Sequence, residues 1–150
     1  MGVFRKILVA IDFSEHSEAA LQLAAKLATD QKAELHLLHV HHPPMYLTPM
    51  DPPTVPTGYW LDVRAAAERA IADKAASLDV PVPVQCDLVE GSPDHEIAHF
   101  AAEAGADLIM MGTRGHSGLS HVLLGSVAER TLRHAPCPVL VVRSDDATAN

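Results

Sequence analysis

Glycines, hydroxyls and two basic side chains crowd into one stretch of this chain, Met111-Gly112-Thr113-Arg114-Gly115-His116-Ser117-Gly118, which continues to Gly125-Ser126. Backbone can come close to a ligand where glycine lacks a Cβ, and the free N–H groups of a first helical turn point at an anion. An apolar segment, Asp107-Leu108-Ile109-Met110-Met111, stands ahead of the stretch, and a helix-like segment begins near Ser126, whose hydroxyl lies at the same entrance. A strand that feeds a glycine loop and then a helix start predicts a phosphate site, and so a bound nucleotide. The spacing Gly112-x2-Gly115-x9-Gly125-Ser126 is not a Walker A loop, because no Gly-Lys-Ser/Thr follows. It is not the dinucleotide fingerprint either: Gly112-x2-Gly115-x2-Gly118 has the wrong spacing and follows the fourth strand, not the first. Arg114 either meets a phosphate in charge-assisted fashion or stays a solvated loop arginine, and His116 reads as a phosphate neighbour rather than a base. Ser126 has no assured His–acid partner, so no catalytic residue is assigned.

Strands and helices alternate around this stretch. Lys6-Ile7-Leu8-Val9-Ala10-Ile11 is a continuous, β-branched-rich run, as expected of a strand covered on both faces. It ends at Asp12, on the edge where open α/β sheets bind ligands, although a loop or helix-start acid would read the same way. Ser14 is a good N-cap for a helix through about Asp30, with Ala20, Leu23, Ala24 and Leu27 as its inward stripe. Residues 33–40 read as the second strand, and 43–59 as a proline-rich loop, long for so small a domain. Met45 and Tyr46 are its candidate ligand contacts if it acts as a lid; a surface excursion is the competing reading. A second helix is expected from Trp60 to about Leu78. The third strand, 82–89, carries prolines near its start that suit a sheet edge. Gly91-Ser92-Pro93-Asp94 opens a third helix with Ser92 as cap, and Gly105 closes it. The fourth strand, the glycine loop and a fourth helix to about His134 follow. Pro136-Cys137-Pro138 then introduces the fifth strand, Val139-Leu140-Val141-Val142, and 144–150 reads as a tail. The β-α-β-α-β-α-β-α-β order predicts a single α/β domain over 1–150, a parallel sheet with helices on both faces.

Composition narrows the function classes. A length of 150 residues and a hydrophobic fraction of 48% suit one compact domain with a real core. The net charge of -8 speaks against a general nucleic-acid binder. No apolar run reaches bilayer length and no signal-peptide core opens the chain, so the expectation is a cytoplasmic protein without membrane contact. Cys86 and Cys137 form no metal or redox motif and are read as two reduced, buried thiols. Of ten histidines, His36, His39, His41 and His42 gather at the end of the second strand. A zinc site from His39 and His41 would need an outside ligand, and no metal is assigned; the four are read as exposed or hydrogen-bonded.

Taken together, the glycine motif, Lys6-Ile7-Leu8-Val9-Ala10-Ile11-Asp12, Glu90-Gly91-Ser92-Pro93, Ala106-Asp107-Leu108-Ile109-Met110-Met111-Gly112-Thr113-Arg114-Gly115 and Pro136-Cys137-Pro138-Val139-Leu140-Val141-Val142 resemble the universal stress protein family in its nucleotide-binding form. That resemblance covers nearly the whole chain outside 43–59. It implies a Rossmann-like sheet of strand order 3-2-1-4-5 and an adenine nucleotide, ATP foremost or AMP/ADP, with Mg2+. It also implies that Asp12 and Val40 contact the adenosine end and that Ala10 and Met111 belong to the same nucleotide site. Gly112, Arg114, Gly115 and His116 line the loop, and Gly125, Ser126 and Val127 hold phosphate. A homodimer through Val139, Leu140, Val141 and Val142 is implied as well, consistent with an apolar edge strand that needs cover. The leading reading is a dimeric stress-response module that holds the nucleotide and signals to a protein partner. The alternatives are a slow ATPase or nucleotide-transfer enzyme, a stress protein that binds no nucleotide, and, more remotely, an electron-transfer-flavoprotein-like or adenylating domain.

Overall fold

The computed structural model describes residues 2–42, 57–113 and 124–144. Its elements run β1 (Lys6–Ala10), α1 (Glu15–Gln31), β2 (Glu34–His41), α2 (Thr57–Ser77), β3 (Val84–Glu90), α3 (Pro93–Ala104), β4 (Leu108–Gly112), α4 (Ser126–His134) and β5 (Val139–Val142). All the strand pairs are parallel, and the five-stranded order is β3-β2-β1-β4-β5, as the resemblance implied.

Strand alternation divides the core in two. Ile7, Val9, Leu35, Leu37, Leu108 and Met110 face α1 and Ile71 of α2, whereas Leu8, Leu38, Ile109 and Met111 face Ile97 and Ala101 of α3 and Ala128 of α4. Successive strand side chains point to opposite faces, so a run such as Ile7-Leu8-Val9 feeds both layers. β3 and β5 are the edges. The prolines of the third strand stand just before β3, where the Pro83 carbonyl accepts from the Leu35 N–H at 2.9 Å. Among the described residues no helix is long and apolar enough to cross a membrane.

Four local expectations are corrected or refined. Helix α1 buries Ser17, Ala20, Leu21, Ala24, Ala25 and Ala28, while Leu27 is only partly buried and Leu23 is 41% exposed. Apolar residues lie almost all round this helix, so spacing left its phase open; the alanine face wins because small side chains let the helix lie close to the sheet. Helix α2 starts at Thr57, so it takes up Thr57, Gly58 and Tyr59 from the expected loop. Ser92 stands at the N-cap of α3 as expected but makes no side-chain cap bond; its hydroxyl donates to Asp94 Oδ1 at 2.9 Å. Cys86 and Cys137 are half-buried rather than buried, and burial still pushes both thiols up, which keeps them protonated. Met45 and Tyr46, and the lid expectation with them, lie outside the described residues.

Candidate functional site

β1 and β4 are neighbours whose following helices leave toward opposite faces of the sheet, so a crevice opens beyond their C-terminal ends. Beside Ala10 the chain turns sharply. The Asp12 Oδ1 accepts from the Ser14 N–H at 2.9 Å and also from the Ser14 hydroxyl. Between them Phe13 is forced to φ 65°, the left-handed region, which costs a bulky L-residue about 1–3 kcal/mol. The Asp12 bonds offset that strain, and Ser14 then caps α1 by accepting from the Ser17 N–H at 3.2 Å.

Across the turn, His39 on β2 locks the end of β1. Its Nδ1 donates to the Ile11 carbonyl at 2.7 Å, and its ring lies 4.7 Å from that of Phe13. Burial pushes the His39 imidazole below its ordinary range, against the opposing pull of the Ile11 hydrogen bond. The ring therefore stays neutral at pH 7, and its role is that of a clamp. The other two described histidine bonds of this strand end are also internal: His36 Nε2 meets Asp87 Oδ2 at 2.7 Å, and His42 Nδ1 meets the Gly91 carbonyl at 3.1 Å.

On the far side of the crevice the Thr113 N–H donates to the Val142 carbonyl at 3.0 Å, and the Thr113 carbonyl accepts from the Gly125 N–H at 2.5 Å. This pairing delivers the start of α4 to the end of β4. Gly125 is the N-cap of α4, and among the described residues no side chain caps that helix. Its first-turn N–H groups and its positive dipole end thus face the crevice. Gly112 has a reason of its own to lack a side chain. A Cβ there would stand 2.7 Å from the backbone carbonyl carbon of His16, in the first turn of α1. The close packing of that turn on β4 requires glycine whatever binds nearby.

The result is a cleft of about 460 Å3. Of the residues singled out from the sequence, Ala10, Asp12, Val40, Met111, Gly112, Gly125, Ser126 and Val127 all line it, while Arg114, Gly115 and His116 lie outside the described residues. Its lining also takes in Leu38, Pro93, Ile97 and Ala128 as apolar walls, with Ile11, Ser17, His42 and Thr113 near the strand ends. Sequence reasoning missed these. Two signals were available: Leu38 shares its strand face with Val40, and Pro93 starts a helix at the same sheet edge. Among the described lining residues there is no lysine or arginine, and Asp12 is the acidic group. Such a cleft can hold an apolar ring system, offer Asp12 to hydroxyl or amino donors, and meet an anion with backbone N–H groups.

The universal stress protein family model matches residues 4–143. The chain belongs to the universal stress protein family. It is 37% identical over 148 residues to universal stress protein YxiE of Bacillus subtilis (strain 168), an alignment covering 94% of this chain and 100% of the relative. In three dimensions it is similar to universal stress protein UspA from Lactobacillus plantarum, with a TM-score of 0.79, 31% identity, and coverage of 93% of this chain and 97% of that one. A universal stress protein solved in complex with cAMP superposes with a TM-score of 0.61 and 26% identity, over 94% of this chain and 98% of the other.

Proposed function

We propose that this universal stress protein binds an adenine nucleotide, ATP foremost and AMP or ADP otherwise, and works as a dimeric stress-response module that signals occupancy to a protein partner. In this reading Ala10, Asp12, Val40 and Met111 surround the adenosine. Gly112, Arg114, Gly115, His116, Gly125, Ser126 and Val127 take the phosphates, with Mg2+ as their counter-ion. The observation that carries it is the junction of an apolar cleft with a helix N-terminus that begins at a glycine: the volume of about 460 Å3 lies within the range of small-molecule sites, and the Gly125–Ser126 end supplies anion donors. The cAMP bound by a family member supports an adenine ring as the occupant. The dimer reading rests on β5, an edge strand whose Leu140 is 39% exposed.

Calorimetric titration of nucleotide-stripped protein with MgATP, beside a Gly125→Val variant, tests the reading. Gly125 has extended backbone angles, φ -71° and ψ 163°, that valine also adopts, so the variant places a side chain at the helix entrance without requiring a disfavoured backbone conformation. Micromolar binding that disappears in Gly125→Val is the expected result. Absence of heat from folded wild-type protein overturns it.

A further inference from the structure

His39 is outside the cleft lining, yet it touches the turn from which that lining is built. Strand alternation sends Leu38 and Val40 to the cleft and His39 to the opposite face of the sheet. There its Nδ1 meets the Ile11 carbonyl at 2.7 Å, and its ring centroid lies 4.7 Å from that of Phe13. A carbonyl only accepts, so Nδ1 carries the proton and the neutral ring keeps its lone pair at Nε2. Ile11 and Asp12 line the cleft, and Phe13, the next residue, holds the left-handed φ of 65°. One imidazole thus grips the chain on both sides of Asp12.

We propose that His39 is a positioning residue for the nucleotide cleft, holding Asp12 in place through Ile11 and Phe13, and that ligand affinity depends on the neutral ring. The inference rests on the nucleotide reading above and adds its regulation by pH. A second proton would put a charge on a ring whose burial disfavours it. That cost is relieved when the ring leaves its seat, and the turn then loses both contacts at once. Two charged neighbours act on the ring in opposite senses, Asp12 in favour of the proton and His41 against it, and burial outweighs the pull of Asp12 and of the Ile11 bond. On the surrounding elements Glu18 of α1 is paired with Lys74 of α2, and Glu90 of β3 with Arg64 of α2. Proton uptake and ligand binding therefore compete. Affinity is full above the ordinary histidine range, about 6.5, and falls as pH drops below it.

The test is calorimetric titration of nucleotide-stripped protein with MgATP from about pH 8 to about pH 5.5, which brackets that range. Wild type is compared with His39→Asn and His39→Leu, and far-UV circular dichroism marks the pH range in which each is folded. Asparagine keeps an amide N–H as many bonds from Cβ as Nδ1 is and takes up no proton, whereas leucine keeps bulk and loses the donor. At the upper pH His39→Leu should bind about three- to tenfold more weakly, the worth of one hydrogen bond, and His39→Asn should recover most of that loss. Toward the lower pH wild-type affinity should fall by a similar factor, and further than that of His39→Asn. The terminal phosphate, which ionises near pH 6, is common to every titration, so the difference between the two curves reads His39. Equal affinity of His39→Leu and wild type at the upper pH, or parallel pH curves for wild type and His39→Asn, overturns the proposal and leaves the nucleotide reading standing. Absence of MgATP binding by folded wild-type protein overturns both.

Discussion

At the N-terminal end of β1 the Asp107 carboxylate accepts from the N–H groups of Arg5 at 2.9 Å and Lys6 at 3.1 Å, while Lys6 Nζ donates to the Ala104 carbonyl at 2.9 Å. At the C-terminal end of the same strand the chain has a left-handed Phe13, and among the described residues a helix with no capping side chain and a buried His16 Nδ1 without a hydrogen-bond partner. The lower end also closes two of its helices with paired backbone bonds. Gly105 closes α3 and Lys32 closes α1, each with its backbone N–H on two helical carbonyls. One end of the sheet satisfies its polar groups internally and holds the fold; the other leaves donors and an apolar hollow facing outward. A left-handed non-glycine residue stands at each end, Phe13 (φ 65°) at the cleft and Lys32 (φ 58°) at the helix stop, so the ends differ in where donors and apolar surface face outward rather than in backbone strain.

Substitutions at the two ends should therefore separate stability from binding. The largest effect is expected for Gly112→Val, whose side chain would run into the backbone of His16. Overpacking of this kind costs about 1–3 kcal/mol, and the rigid backbone neighbour places this case at the upper end. Urea unfolding should show the lower midpoint, and MgATP affinity should fall with it; an unchanged midpoint would mean that α1 moves away freely. Next comes Asp107→Ala at the lower end. Losing an acceptor shared by two backbone N–H groups should cost about 1–2 kcal/mol in the same unfolding measurement, with MgATP affinity unaltered. A parallel loss of affinity would show that the two ends are not independent.

The smallest effect is a pH slope at the upper end. Burial holds the His39 imidazole low in the folded protein, so as pH falls the unfolded chain takes up its proton first. The stability given by the neutral ring is present above the ordinary histidine range, about 6.5, and is lost progressively as pH drops below it. Denaturant midpoints should fall between about pH 7 and pH 5. The fall should be shallower in His39→Gln, and identical slopes would remove His39 from the account.

Much of this arrangement was legible from residues alone. Continuous apolar runs such as Ile7-Leu8-Val9, the Ser14 and Pro93 helix starts and the Gly105 stop placed every element within a few residues, and the glycine motif pointed to the strand edge where the cleft lies. Resemblance to the family supplied the strand order and singled out cleft-lining residues such as Ala10 and Val40, which no local pattern contains. The phase of α1 escaped because leucines and alanines surround the helix, and only the sheet chooses between them. Ser92 is the N-cap of α3 as the sequence indicates, and only its side-chain partner, Asp94, becomes visible in the folded turn alone.

By itself the sequence determined the alternation of strands and helices, the two-sided burial of the central strands and the positions where the chain must turn. These follow from side-chain periodicity and backbone preference over a few neighbouring residues. Tertiary structure alone decided what distant residues do to each other. It set His39 on the carbonyl of Ile11, His36 on Asp87, the backbone of His16 against Gly112, and His134 on His95. Such contacts join segments far apart in the chain, and their geometry is fixed by the packing of helices on the sheet, which no local pattern specifies.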